Sequence, residues 1–277
     1  MQFSPRYEGP PVIDIDAAVG DPYPAFVRQR ERLAQTLSGL SAGEWSTSSR
    51  CDGWTVQDVV EHLAGVNGFW ALSLASGLRD RPTRLLASFD PVSVPAAMVD
   101  AARGAPTADT LDRFVATNDA LIDILGSLTD ADWSRPAEAP PGHLAVRAVV
   151  AHALWDSWIH ERDVLVPLAR HQVIEPDEVS TSLVYVAALG PAIGCNSGST
   201  RTGTLAVIAH HPEIRFTVHL GTEVIVRTGT TGATTATIEG DAVGLLEGMT
   251  YRAPLPPLAG EHRWLLGGLG DVFDTDR

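Results

Sequence analysis

Lysine is missing from this chain altogether: every one of its 20 basic residues is arginine, set against 34 acids. That absence excludes enzymes that form a Schiff base on a lysine amine and ATPases whose phosphate loop needs a lysine. Positive charge is scarce as a whole. The formal net charge of −14 argues against non-specific binding to nucleic acid or to an anionic membrane. Cysteine is nearly as rare: Cys51 and Cys195 lie far apart and make no Cys-x-x-Cys pair. The expectation is two free, buried thiols in a reducing cytosol. The opening Met1-Gln-Phe-Ser-Pro5 has no basic start followed by an apolar core, so no secretory signal is expected there. Apolar runs are interrupted well short of the ~18 residues that a membrane span needs. The chain reads as soluble and cytoplasmic, with neither nucleic acid nor membrane as partner.

What is present is a globular composition, 44% apolar over 277 residues, room for one large domain or two ordinary ones. The first twenty residues are rich in proline and read as irregular. Residues 21–40 read as a first helix with Phe26, Leu33 and Leu37 on one side. After a turn at Ser41–Trp45, Thr55 and Asp58 have the spacing of a capping box, which opens a helix over 55–78 carrying Val59, Val60, Leu63, Phe69 and, among them, His62. Residues 79–106 look loop-like around a short helix at 96–102. A third helix is expected over 107–128.

The chain also echoes itself. Leu37-Ser-Gly-Leu-Ser-Ala-Gly-Glu-Trp-Ser46 aligns with Leu125-Gly-Ser-Leu-Thr-Asp-Ala-Asp-Trp-Ser134, and each leads through a turn into Val-Val-x-His, at 59–62 and 149–152. Two related helical hairpins packed as a four-helix bundle explain the repeat. The tryptophans Trp45, Trp54, Trp70 and Trp133 then serve as bundle core and hairpin anchors. Beyond Pro167 the pattern changes. A helix at 178–189 is followed by short β-like runs at 205–208, 214–220, 224–226 and 234–238, a helix at 242–251 and a Pro/Gly-rich tail at 255–277. The fold class is therefore α plus α/β, with a bundle at 1–172 and a small α/β domain at 173–277.

The fourth helix, over 149–164, carries the chemistry. Its apolar residues Val149, Val150, Ala153, Leu154, Ile159 and Val164 recur at mostly helical spacing, as in an amphipathic helix. His152, Asp156 and His160 fall at i, i+4 and i+8 and point the same way. With His62 from another helix they have the ligand types of a three-ligand divalent-metal site, zinc foremost, with a position open for water or substrate. His152 and His160 are about 12 Å apart by helix rise, too far to share one ion. The sets His62/Asp156/His160 and His62/His152/Asp156 both remain open, as does a role for His152 in supporting a ligand from behind.

Other patterns are bland. Gly194-Cys-Asn-Ser-Gly198 misplaces the serine of a nucleophile elbow, and His160-Glu-Arg-Asp163 lacks the second histidine of a zincin helix. Gly267-Gly-Leu-Gly-Asp271 follows no strand signal, and His210-His211-Pro212 reads as a polar loop.

Cys51-Asp-Gly-Trp-Thr-Val-Gln-Asp-Val-Val-Glu-His-Leu63 and Trp155-Asp-Ser-Trp-Ile-His-Glu-Arg-Asp163 resemble the second-helix and fourth-helix signatures of the mycothiol-dependent maleylpyruvate isomerase family, within the DinB-like superfamily. The resemblance implies a DinB-like metal-binding four-helix bundle with a sterol-carrier-like C-terminal domain. It maps the metal ligands onto His62, Asp156 and His160, with Asp156 standing where the family usually has Glu. Thr237–Arg252 is similar to the family's last strand and helix, whose arginine reaches the active site. Arg252 is thus the candidate catalytic residue, placed to hold an anionic group, though in Met-Thr-Tyr-Arg rather than the family's more usual Gly-Arg. The implied partners are a divalent metal, zinc foremost, mycothiol or a similar low-molecular-weight thiol, and a small electrophile that undergoes isomerisation or S-transfer. A non-catalytic small-molecule or lipid-binding protein with a residual metal site, and a metal-water hydrolase, are the competing readings. The sequence leaves the oligomeric state open, homodimer included.

Overall fold

A computed structural model describes residues 4–230 and 232–272. Strand β1 (Ile13–Ile15) and a 3-10 turn (Ala17–Val19) precede helix α1 (Pro22–Ser38). The stretch expected to be irregular therefore holds a strand, and its cause lies far along the chain: Ile13–Ile15 pairs in parallel with residues 224–226. Asp21 caps α1 through the Tyr23 N–H, and Pro22 sits in the first turn, where its missing N–H costs nothing. Helix α2 (Ala42–Trp45) and helix α3 (Val56–Gly77) both open on reciprocal capping boxes, Ser41 with Glu44 and Thr55 with Asp58. Helices α4 (Ser93–Ala102) and α5 (Thr107–Gly126) follow.

A hairpin of β2 (Pro136–Ala139) and β3 (Gly142–Ala145) then leads into α6 (Val146–Leu165). Gly142, at φ +121°, lies against the backbone of Arg6, and a Cβ there would fall 1.9 Å from the Arg6 carbonyl oxygen. No other residue fits. Helix α7 (Pro176–Asn196), strands β4 (Gly203–His210), β5 (Ile214–Leu220), β6 (Val224–Thr228) and β7 (Ala236–Asp241), helix α8 (Ala242–Met249), a 3-10 turn (Gly260–Leu266) and α9 (Leu269–Val272) complete the described residues. Of the tail read as Pro/Gly-rich, residues 273–277 lie outside them. His210 ends a strand and pairs with Glu239 at 2.8 Å, so the expected loop begins one residue later, at His211.

Helices α1, α3, α5 and α6 form the four-helix bundle: α3 packs on α5 and α6, and α1 on α6 and α5. The sheet order is β1-β6-β5-β4-β7, an antiparallel β4–β5–β6 meander flanked by parallel strands. Residues 13–15, on the bundle side of the expected 172/173 division, thus belong to this sheet. Helices α7 and α8 pack on it, and Leu183, Ala187, Phe216, Val218 and Val226 fill the interior as part of one apolar cluster.

Helix α6 is shared between the two layers. It is buried on nearly every side, not amphipathic as expected, because α7 covers the flank that a lone bundle would leave to water. Helix α7 is itself long and apolar enough to cross a membrane by length and composition, and is 83% buried in its most apolar window, packed against protein. The α1, α6 and α7 helices are tied by ions as well. Arg32 donates to Glu161 and Glu178, both buried, at 2.8 and 2.7 Å, and Arg28 joins Glu178 and Asp177.

Candidate metal centre

Helices α3 and α6 run antiparallel, so His62 near the start of one meets His160 near the end of the other, with ring centroids 4.9 Å apart. Asp156, one turn before His160, completes the group. Its Oδ1 lies 3.9 Å from His62 Nε2 and 3.7 Å from His160 Nε2. Ligand atoms about 2.1 Å from a tetrahedral ion lie about 3.4 Å from one another, so these separations are close to those of a bound cation's shell. The other oxygen, Asp156 Oδ2, is buried and has no hydrogen-bond partner among the described residues. A buried carboxylate oxygen without a partner is costly, and a cation removes that cost. Burial opposes the Asp156 charge, yet the neighbouring His62 and His160 outweigh it and hold the carboxyl well below the usual range. Two imidazole nitrogens and an ionised carboxylate are a zinc-type donor set, and these residues fit a divalent metal.

Behind His160, Arg252 meets two residues that sequence reasoning missed, Asp163 and Cys51. Asp163 Oδ2 is 3.0 Å from His160 Nδ1, and Arg252 reaches the same oxygen through Nη2 at 2.9 Å. Cys51 Sγ lies 3.3 Å from Asp163 Oδ2 and 3.7 Å from His160 Nδ1. The sequence signal was the i, i+3 spacing of His160 and Asp163 on one helix. Cys51, His160 and Asp163 also have metal-ligand types within 4.8 Å of one another. There, however, the Arg252 guanidinium already supplies the cation, on Asp163 and 3.7 Å from the Cys51 sulfur. Burial disfavours a charged His160, but the Cys51 sulfur, the Asp163 bond and the Asp156 carboxylate outweigh it, so its pKa is raised well above the ordinary value. Asp163 is held low by His160 and Arg252 against its own burial. Arg252 therefore stands behind His160, directed at Asp163, and also donates from Nη1 to the Thr250 carbonyl.

His152 does not converge with the other ligand candidates. Its Nδ1 shares a 2.6 Å hydrogen bond with the Tyr185 hydroxyl on α7, and its ring lies 4.8 Å from that of Trp70. Burial pushes its pKa down to about 4, so it is neutral at pH 7. The internal repeat explains the place. His152 occupies in α6 the position that His62 occupies in α3, and Trp70 stands eight residues after His62 as His160 does after His152. The bundle thus has two quasi-equivalent ends. One carries His62 and His160, and at the other a tryptophan faces the histidine.

The fold and the centre define a class: a helical bundle with a His/Asp/His cluster between two of its helices, joined to a small α/β layer. Residues 26–165 match the family model described as the mycothiol maleylpyruvate isomerase N-terminal domain. The chain belongs to the mycothiol-dependent maleylpyruvate isomerase family. It is similar in fold to the crystal structure of a mycothiol-dependent maleylpyruvate isomerase, with a TM-score of 0.58 and 14% identity over 85% of this chain and 95% of that one. A histidine-to-alanine mutant of a mycothiol-dependent maleylpyruvate isomerase gives a TM-score of 0.56 and 13% identity, over 82% and 86% of the two chains. No curated protein sequence matches the chain.

Proposed function

We propose that the chain is a divalent-metal enzyme, zinc-dependent and cytoplasmic, that uses mycothiol or a similar low-molecular-weight thiol to isomerise, or transfer sulfur to, a small electrophile. The observation that carries the reading is the convergence of His62 Nε2, Asp156 Oδ1 and His160 Nε2 around a buried carboxylate oxygen that lacks a partner. A metal bound by His62, Asp156 and His160 supplies a Lewis acid that favours the thiolate form of a thiol at neutral pH. Family membership makes mycothiol the first thiol to test and maleylpyruvate the first substrate.

The chain's own residues have distinct tasks in this scheme. Asp163 accepts from His160 Nδ1, which turns Nε2 toward Asp156 and His62. Arg252 keeps Asp163 ionised, and the one Nη1 N–H beyond those used on Asp163, Cys51 and Thr250 is the one to meet an anionic group on substrate or thiol. Trp54, its ring 5.4 Å from that of His62, walls that imidazole on one side. Cys51 and Cys195 are free thiols and both half-buried, where the sequence suggested buried ones.

The test is metal analysis of purified protein paired with a maleylpyruvate assay with and without mycothiol. About one zinc per chain, lost in His62→Ala and Asp156→Asn along with thiol-dependent turnover, supports the reading. Turnover that ignores the thiol, or a metal content that neither substitution changes, overturns it.

A further inference from the structure

Arg30 is a charged side chain with no exposure at all, in the middle of the bundle. Its fork touches every bundle helix. From α1, Nη1 donates to Asn67 Oδ1 on α3 at 2.8 Å and to Asn118 Oδ1 on α5 at 3.2 Å, while Nη2 donates to the Ala153 carbonyl on α6 at 3.0 Å. Among the described residues no carboxylate pairs with it directly, and its Nε has no partner. The pull of burial lowers its pKa only to about 10, partly restored by the Asp156 charge, so it stays a cation at pH 7. An unpaired buried cation is an expensive way to stabilise a bundle that apolar side chains could fill. Its placement says what the cation does. Ala153 is one turn before Asp156 on α6, and Asn67 lies on α3 between His62 and Trp70. In the repeat, Arg30 and Asn118 hold matching positions in their hairpins, so the pair occupies the middle of the bundle, between its two quasi-equivalent ends.

The geometry points to Arg30 as a positioning residue for the metal centre: it sets the separation of α3 and α6 at which His62 meets Asp156 and His160. The inference rests on the metal reading above. A planar fork with several fixed donors can brace four helices at once, which a lysine ammonium cannot do in the same geometry. Asn67 is the arm of the brace on a ligand-bearing helix, and Asn118 the arm on a helix that carries no ligand. Asn67 also donates to Thr117 and Asn118, so each amide is one part of a single buried network.

That asymmetry provides the test. Zinc affinity is measured by competition with a chelating indicator, alongside thermal melting and the visible spectrum of the cobalt(II) form, for the wild type, Asn67→Ala, Asn118→Ala and Arg30→Lys. Both asparagine variants lose stability. Asn67→Ala weakens zinc by about tenfold or more, within the range for removing an outer support of a metal ligand, while Asn118→Ala stays near the wild-type affinity. Arg30→Lys keeps the charge, yet weakens zinc and shifts the cobalt bands. Should the lysine variant not fold, the two asparagine variants decide alone. Equal losses of affinity at Asn67 and Asn118, or none at Asn67, overturn the positioning role and leave the metal reading intact. A wild type that binds no zinc overturns both.

Discussion

Asp163 accepts from both His160 Nδ1, at 3.0 Å, and Arg252 Nη2, at 2.9 Å, through one carboxylate oxygen, so a metal-ligand candidate and an arginine of the α/β layer share a single buried partner. The arrangement orients the imidazole and ties the α/β layer to the bundle at the centre itself. Asp163→Asn tests the first task. The amide keeps the shape but not the charge, so the ring loses its anionic acceptor and Arg252 its partner. Zinc affinity is expected to fall about 10–100-fold, read by chelator competition. The melting temperature of the metal-free protein falls as well, because Arg252 keeps its place without a countercharge.

His152 supplies a pH dependence separable from that of the ligands. Its folded pKa is about 4 against an ordinary 6.5, since burial penalises the imidazolium. Between these values the unfolded chain takes up a proton that the folded chain refuses, so stability falls as pH drops through the window. The difference is worth about 3 kcal/mol over the whole window. His160 shifts the opposite way, so below pH 6.5 it is protonated folded and unfolded alike and adds no slope there. Its own contribution is lost on the alkaline side, as pH rises through its raised folded value. Denaturant melts of metal-free protein at steps from pH 7 to pH 4 should show the fall in the wild type, shallower in His152→Gln by about that amount.

The bundle was legible because its signals are local. Thr55 and Asp58 mark a helix start by chemistry within four residues, and the Trp-Ser echo marks the turn before each Val-Val-x-His helix, whereas Ser41 with Glu44, read only as part of a turn, opens a short helix of its own. His62, Asp156 and His160 come together as expected, and the bundle-plus-α/β class is as read. What stayed hidden depends on partners far away in sequence. Strand β1 exists because β6 receives it, the β2–β3 hairpin is closed by Arg6, and α6 is buried all round because α7 covers it. Arg30 gave no signal either: an arginine on a helix is usually solvated, and only the meeting of four helices makes this one central.

Glu247 on α8 is the second fastening between the layers. It accepts from Arg50 Nη1 at 2.5 Å and from Arg162 Nε at 2.8 Å, two bundle-side arginines. Glu247→Ala removes both bonds while leaving its backbone carbonyl, which caps the turn through the Arg252 N–H. A loss of about 1.5–3 kcal/mol is expected, typical of charge-assisted hydrogen bonds. Hydrogen exchange should quicken in α8 and at Arg252 and stay unchanged in α5, which has no part in the clamp.

Metal removal supplies the last prediction. The centre exists only in the folded chain, because its ligands come from two helices, so zinc adds stability by mass action. At free zinc a hundredfold above the dissociation constant the gain is about 2.7 kcal/mol. For a chain of this size that raises the melting temperature by about 5–10 °C. Melting of metal-free protein with zinc titrated back should follow this curve, and magnesium, which prefers an octahedral shell of oxygens, should move it little. His62→Ala should abolish the zinc-dependent shift, while His152→Gln, altered at the opposite end of the bundle, should retain it. A shift that survives His62→Ala would place the ion elsewhere.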